Sequence, residues 1–333
     1  MAYITLNKKY FFNNLDIISK QAKGKDKIAL VLKDNAYGHG LVQIATMAKQ
    51  YGIKKAVVRC EVEAQTIKDF FDYILVLNDF PTTKEQKIRY TINDIDAIQY
   101  FPKNTTVELK IDTGMHRNGI LPNQLDDALK KIQKQQLVLK GVFTHHRDAD
   151  ILSSEWFWQR DNFAKIKQKI ISLGYNVEFH SSNSASLFRD KNFDEDMARV
   201  GIAAYGCLEV SKPLKIEGLM PILSLYGSKI SSRKLKKGEC IGYGATFEAK
   251  KDMVVTNYDF GYGDGFLRGC SNNYKTPDGS KLIGTISMDN SSFIYDKDEI
   301  LIFNDATKIA KSANTISYEI LTSLKHYIKR EIV

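Results

Sequence analysis

The chain has 333 residues, 43% of them hydrophobic and 26% charged, with a formal net charge of +9. That length suits a barrel plus a smaller domain, and no apolar stretch approaches the length that would cross a bilayer. The excess lysines are dispersed, as at Lys130, Lys131, Lys134, Lys165, Lys167 and Lys169, which fits solvated helix faces better than a nucleic-acid stripe, and the four scattered cysteines form neither a metal-like spacing nor a disulfide framework.

In chain order, the first two thirds alternate short apolar runs with amphipathic segments. Strands are predicted at Ile28–Lys33, Lys55–Cys60, Tyr73–Asn78, Thr106–Asp112, Leu137–Thr144 and Asn176–His180. Helices are predicted near Leu41–Tyr51, Glu61–Phe71, Thr83–Tyr90, Leu125–Gln135, Glu155–Leu173 and Ser184–Arg189. Repeated strand-then-helix units point to a parallel sheet, and their number favours a (β/α)8 TIM barrel. No Gly-x-Gly-x-x-Gly opens a helix, which lowers the dinucleotide-binding alternative. The character changes near Lys212–Gly218. Strands are predicted at Ile222–Lys229, Met253–Tyr258, Lys281–Ser287, Ser292–Tyr295 and Glu299–Phe303, with one helix near Thr315–His326. The fold class is therefore α/β: a barrel over residues 1–215 and a mostly-β domain over 216–333, with residues 1–6 expected to pair with the second domain.

Lys33 ends the apolar run Ile28–Leu32. An ammonium is costly to desolvate, so burial there would favour the neutral amine, which can form a Schiff base with pyridoxal 5'-phosphate (PLP). For an isolated lysine, snorkelling to the surface is the better reading. The surroundings change that. Lys33-Asp34-Asn35-Ala36-Tyr37-Gly38-His39-Gly40 resembles the PLP-lysine motif of bacterial alanine racemases, Lys-Ala-Asn-Ala-Tyr-Gly-His-Gly, departing only at Asp34.

Further clusters match that family in order. Lys110-Ile111-Asp112-Thr113-Gly114-Met115-His116-Arg117 resembles its Asp-Thr-Gly-Met-x-Arg stretch. The resemblance makes Arg117 a substrate-binding residue and Lys110 a possible carbamylated lysine. His145, after Phe143-Thr144, would stack on the cofactor ring, although His146 and Arg147 stand where the family has Phe-Ala. Asn183 and Ser184 match an Asn-Ser pair at a helix N-terminus, a natural anion site. Arg199-Val200-Gly201-Ile202 matches Arg-x-Gly-Ile. Gly201 and Ile202 would offer backbone N–H groups to the phosphate, and Arg199 would donate to the pyridine nitrogen. Because arginine accepts no proton, that nitrogen would stay unprotonated and the carbanion poorly delocalised, which suits reprotonation at Cα.

In the last third, Tyr243 in Ile241-Gly242-Tyr243-Gly244-Ala245-Thr246 matches the second catalytic base. A tyrosine with a pKa of about 10 is a poor base unless a cation lowers that value. Tyr262 in Gly261-Tyr262-Gly263-Asp264-Gly265 would line the mouth of the site. Met288 in Ser287-Met288-Asp289 would contact substrate, and Tyr318 in Ser317-Tyr318-Glu319 the phosphate. Tyr327 stands where the family often has arginine.

The resemblance runs from Lys33 to Arg330. It implies alanine racemisation by two bases, Lys33 and Tyr243, with PLP as cofactor, in a homodimer whose active sites are shared. Its place in metabolism would be D-alanine supply for peptidoglycan. A racemase of broader specificity, acting on serine or longer side chains, and a non-catalytic PLP-binding protein are the alternatives. The start, Met1-Ala2-Tyr3-Ile4, lacks a basic segment followed by an apolar core, so the cytoplasm is the expected location. No nucleic acid, membrane or metal is expected as a partner.

Overall fold

The computed structural model describes residues 1–83 and 85–333. Nine strands come first: β1 (Tyr3–Leu6), β2 (Ile28–Val31), β3 (Lys55–Val58), β4 (Tyr73–Val76), β5 (Ile88–Ile92), β6 (Thr106–Lys110), β7 (Val138–Phe143), β8 (Glu178–His180) and β9 (Ala198–Val200). Of these, β2 to β9 form one parallel sheet in the order β8-β7-β6-β5-β4-β3-β2-β9. The seam between β8 and β9 is bridged by backbone bonds from Asp196 N to Phe179 O and from Arg199 N to Ser182 O. The sheet thus curls into the TIM-type barrel. Its strands are short and buried from end to end, as in Ile28–Val31 and Tyr73–Val76, because helices cover the outside and side chains fill the lumen.

The helix expected near Thr83–Tyr90 does not form. Ile88-Arg89-Tyr90-Thr91-Ile92 is strand β5, and Lys84 lies outside the described residues. Its β-branched and aromatic residues alternate with polar ones at period two, and the charged run before it obscures that period. The helix Lys8–Gln21, missed from sequence, buries Phe11, Asn14, Leu15 and Ile18. The Asn14 side chain bonds Ala204 O, Met220 O and Met220 N, which ties this helix to the end of the barrel.

The second sheet contains β10 (Leu223–Leu235), β13 (Met253–Tyr258), β14 (Lys281–Ile283), β15 (Ser291–Ile294), β16 (Glu299–Phe303) and β17 (Lys329–Ile332), with β11 (Cys240–Ile241) and β12 (Phe247–Glu248) as a separate hairpin. The first strand lies in this sheet: β1 pairs antiparallel with β10, Tyr3 opposite Tyr226, and parallel with β17, Tyr3 opposite Lys329. The expected helix near Thr315–His326 is shorter, Ser317–Ser323, and a second one, Ala306–Ala313, precedes it. Among the described residues, no helix is long and apolar enough to cross a membrane.

Candidate active site

Strand β2 ends at Val31, and Lys33 opens a turn, Lys33–Tyr37, that is left-handed rather than a plain strand-to-helix bend. Asp34, Asn35, Ala36 and Tyr37 all have φ between 51° and 56°. Each such non-glycine residue costs roughly 1–2 kcal/mol. The turn is held from outside: Glu63 accepts from Asn35 N–H at 3.0 Å, Arg59 pairs with Asp34 at 3.0 Å, and the Asn35 side chain caps the next helix at Leu41 N. The result places the Lys33 ammonium 6.0 Å from the centre of the Tyr37 ring. Lys33 itself is half-buried.

Lys110 closes β6 and is buried, and its pKa is pushed down to about 8. Burial is the largest cause, followed by the nearby charges of Arg117 and Arg199, with Lys33 adding to the effect. The carboxylate of Asp112 works the other way, but its oxygens are occupied by the N–H groups of Gly114 and His116 and by the His116 ring. Arg117 is exposed and makes no ion pair among the described residues. Four cations, Lys33, Lys110, Arg117 and Arg199, therefore share one end of the barrel. His145 joins them; burial and the charges of Arg199, Lys110 and Arg117 hold it well below the ordinary histidine value, so it is neutral.

Arg199 is the most constrained of these groups. Its Nη1 donates to His180 Nδ1 and to His180 O, and its Nη2 to Thr144 O at 2.6 Å and Ser181 O at 3.2 Å. Its guanidinium lies 5.0 Å from the Phe143 ring centre. Four of the five donors are used, and Nε–H remains as the one without an acceptor among the described residues.

Ser184 is buried, and its Oγ accepts from Gly201 N at 3.1 Å and Ala203 N at 3.4 Å, leaving the hydroxyl proton to donate elsewhere. A Cβ on Gly201 would lie 2.9 Å from the Tyr37 hydroxyl. Tyr37, in turn, has the Tyr318 ring 5.7 Å away. Tyr37, Ser184, Gly201 and Tyr318 thus pack side by side, with Ile202 following Gly201 in the chain. Asn183 is spent differently: its Oδ1 caps the helix at Ser186 N, and its Nδ2 reaches His146 O at 3.4 Å.

Of the second-domain residues, Tyr318 joins this cluster, whereas Tyr243, Tyr262 and Met288 make no contact with it among the described residues. Tyr243 is 69% exposed and Met288 55%. Among the described residues, no hydrogen bond or ring contact connects Tyr243 to Lys33. The loops of Tyr262 and Met288 are bound to each other, through Tyr262 N to Ser287 O and Gly263 N to Met288 O, and the Arg268 guanidinium sits over the Tyr262 ring. Tyr327 donates to Asp264 at 2.8 Å, so at the position where the family often has arginine a phenol holds a carboxylate of the Tyr262 loop.

Two members of the site were missed from sequence. Glu108 and His180 are both completely buried and bonded at 2.7 Å, directly behind Arg199. A signal existed: Glu108 and Lys110 are two apart on one strand and so share the lumen face.

The site suits an anionic ring cofactor. Four cations gather beside an Asp112 carboxylate already engaged by its own loop, and the Ser184 hydroxyl next to Gly201 keeps a proton to donate to an anion. Comparison with known proteins gives the same direction. Residues 6–209 match the family model described as alanine racemase, N-terminal domain, and residues 222–332 match alanine racemase, C-terminal domain. The chain is 47% identical to an alanine racemase of Nitratiruptor sp. over 99% of both chains, and 42% identical to one of Campylobacter concisus over the full length of both. Among solved structures, alanine racemase from Bacillus anthracis with bound L-Ala-P superposes with a TM-score of 0.89 at 25% identity, over 100% of this chain and 95% of that one. The alanine racemase of Bartonella henselae with covalently bound pyridoxal phosphate gives 0.85 at 25% identity, over 100% and 99%. With both halves of the chain matched by its models and near relatives aligned end to end, the protein belongs to the alanine racemase family.

Proposed function

We propose that this chain is a PLP-dependent alanine racemase that interconverts L- and D-alanine, supplies D-alanine for peptidoglycan, and works in the cytoplasm. The observation that supports this reading is the gathering of Lys33, Lys110, Arg117 and Arg199 at one end of the barrel, which also carries the packed group Tyr37, Ser184 and Gly201. Lys33 would attach the cofactor. Tyr37, Ser184, Gly201, Ile202 and Tyr318 would hold its phosphate, with Asn183 shaping the helix start beside them. His145 would lie against its ring, and Arg199 would donate through Nε–H to its pyridine nitrogen. When bound, PLP supplies an electron-withdrawing ring that acidifies the substrate's Cα–H.

The remaining work falls to side chains. Arg117 and Met288 position the substrate, and Tyr262 lines the mouth of the site. Lys33 exchanges a proton with Cα on one face and Tyr243 on the other, because inverting a stereocentre needs bases on both sides. Tyr243 is too exposed to serve its own barrel, which supports a homodimer in which each copy completes the other's site. The neutral form of Lys110, accessible at its lowered pKa, can take up carbon dioxide as a carbamate and hold Arg117. We divide the chain into a cofactor-binding barrel, 1–215, and a second domain, 216–333.

Lys33→Ala tests the assignment. It should lose both the visible absorption of the lysine-linked cofactor and racemisation; retention of both would overturn the reading. Initial rates on L-alanine, L-serine and L-lysine measure how narrow the specificity is.

A further inference from the structure

The barrel lumen below the site is not filled by aliphatic layers alone. A chain of polar contacts crosses it. Arg199 on β9 donates to His180 Nδ1 on β8, and His180 Nε2 meets Glu108 Oε2 on β6 at 2.7 Å. Glu108 Oε1 accepts from Tyr73 on β4 and from Arg89 on β5, both at 2.9 Å. Arg89 also bonds Glu178 on β8, and Lys55 on β3 stands 4.0 Å from Glu178. Six of the eight barrel strands contribute a member.

The chemistry of the groups fixes the protons in this chain. A guanidinium can only donate, so His180 Nδ1 must be an acceptor. Nε2 then carries the ring's proton and donates it to Glu108, which as a carboxylate can only accept. An imidazolium would set an N–H against the Arg199 N–H and is excluded. Burial raises the Glu108 pKa, but His180, Arg89 and Tyr73 outweigh it and hold the group below the usual carboxylate value. Burial likewise holds His180 below its ordinary value despite the pull of Glu108.

The backbone is adapted to this carboxylate. Gly141 on β7 lies opposite Glu108, and the register of β6 on β7 shifts there. A Cβ on Gly141 would stand 2.7 Å from the Glu108 carboxyl carbon.

We propose that Glu108, acting through the Nε2–H tautomer of His180, is a positioning residue that aims Arg199 and keeps its Nε–H as the one donor offered to the cofactor ring. A charged carboxylate locks the tautomer, the tautomer makes Nδ1 an acceptor, and the acceptor holds Nη1 away from the cofactor. Arg89, Tyr73 and Glu178 anchor Glu108 from the far end of the lumen. This rests on the racemase reading for what Arg199 contacts, but the relay can be measured without turnover.

The first measurement uses unaltered holoenzyme. With the six histidines labelled with 15N, long-range proton–nitrogen spectra report each ring. The His180 signals are those that vanish in His180→Gln and move in Gly141→Ala. Nδ1 should be bare and Nε2 protonated. A protonated Nδ1, in either the other tautomer or the imidazolium, overturns the proposal.

The second measurement uses Glu108→Gln and Gly141→Ala, which neutralise and displace the same carboxylate. Both should still attach PLP, alter the circular dichroism of its visible band, and lose roughly tenfold or more in kcat, as a misaimed group does. KM for alanine should stay within about threefold. Variants with a lower Tm but unchanged kcat, dichroism and His180 tautomer would make Glu108 a structural residue only and refute the positioning role. If Glu108→Gln does not fold, Gly141→Ala and the His180 spectrum decide. Failure of wild-type protein to attach PLP sinks the racemase reading instead, and the His180 spectrum still tests the relay.

Discussion

Gly201→Ala perturbs the Tyr37–Gly201 contact that we assign to the cofactor phosphate site. The added methyl would lie 2.9 Å from Tyr37 Oη, 3.0 Å from Cζ and 3.1 Å from Cε2. Carbon atoms rest about 3.5–4.0 Å apart, so the ring edge must retreat by roughly half an ångström or more. Tyr37 has little freedom to do so. Its backbone is left-handed at φ 51°, and the Tyr205 and Tyr318 rings flank it at 5.4 and 5.7 Å. Gly201 is not among the positive-φ glycines, so alanine adds crowding without backbone strain. Overpacking of this kind costs about 1–3 kcal/mol. If that strain falls on the proposed phosphate site, PLP affinity drops by about 5- to 150-fold. Titrating apoprotein with PLP gives the affinity, and calorimetry of the same apoprotein gives the Tm. Wild-type affinity with a lowered Tm would refute the argument, since Gly201 would then be a packing residue and the phosphate would lie elsewhere. Ser184→Ala provides the opposite perturbation: it removes a donor, opens space, and should weaken PLP binding without moving Tyr37.

Lys110 gives a pH signature. Its folded pKa of about 8 lies below the ordinary 10.5, so between those values the unfolded chain binds more protons. Apoprotein stability should rise with pH through that window as the penalty of the buried charge is relieved, and Lys110 should add no pH dependence below it, where that penalty is fully in place; an identical slope in Lys110→Met would show that other groups cause it. Shared sites predict complementation. Lys33→Ala and Tyr243→Phe, each inactive alone, should regain about a quarter of full activity when mixed after reversible dissociation, because half of randomly paired dimers carry one intact site; no recovery would place Tyr243 in its own chain's site. Asp34→Ala restores the family's residue. The pair with Arg59 is partly exposed, and alanine is less at home than aspartate in a left-handed turn, so denaturant unfolding should show a loss of about 0.5–1.5 kcal/mol with activity nearly intact.

What could be read from the sequence follows from what each residue must hide. Buried parallel strands such as Ile28–Val31 are continuous apolar runs and stand out; β5 mixes Arg89 and Thr91 among its apolar residues and did not. Lys33, Arg117 and Arg199 were legible through the family motifs that carry them, which fall at the C-terminal ends of barrel strands where active sites lie. For Glu108 only its face was legible, from the spacing of two to Lys110. Its partners were not, since only the fold brings Arg89, His180 and Tyr73 from three other strands to satisfy it. The left-handed turn after Lys33 was equally hidden, since Asp34-Asn35-Ala36 has no glycine to announce it. Its support comes from Glu63 and Arg59, about 25 residues away along the chain.

The charge balance at the barrel end gives Lys110 a meaning beyond its pKa. Lys33, Lys110, Arg117 and Arg199 repel one another, and Asp112 is committed to its own loop. Arginines cannot relieve the repulsion by deprotonating, and Lys33 is the residue we propose for cofactor attachment. Lys110 is therefore the group best placed to yield, since burial and the neighbouring cations push its pKa down to about 8. Losing a proton removes one positive charge. Carbamate formation goes further, because the free amine gains carbon dioxide and releases a proton, which turns the position from cationic to anionic. The product is a carboxylate-like group beside Arg117, able to form the charge-assisted bonds that this otherwise unpaired guanidinium lacks. Arg117 would then be steadied where the substrate carboxylate arrives. A 13C signal from labelled bicarbonate that is present in the wild type and absent in Lys110→Met would support this, and a wild-type protein that stays unlabelled while fully active would refute it.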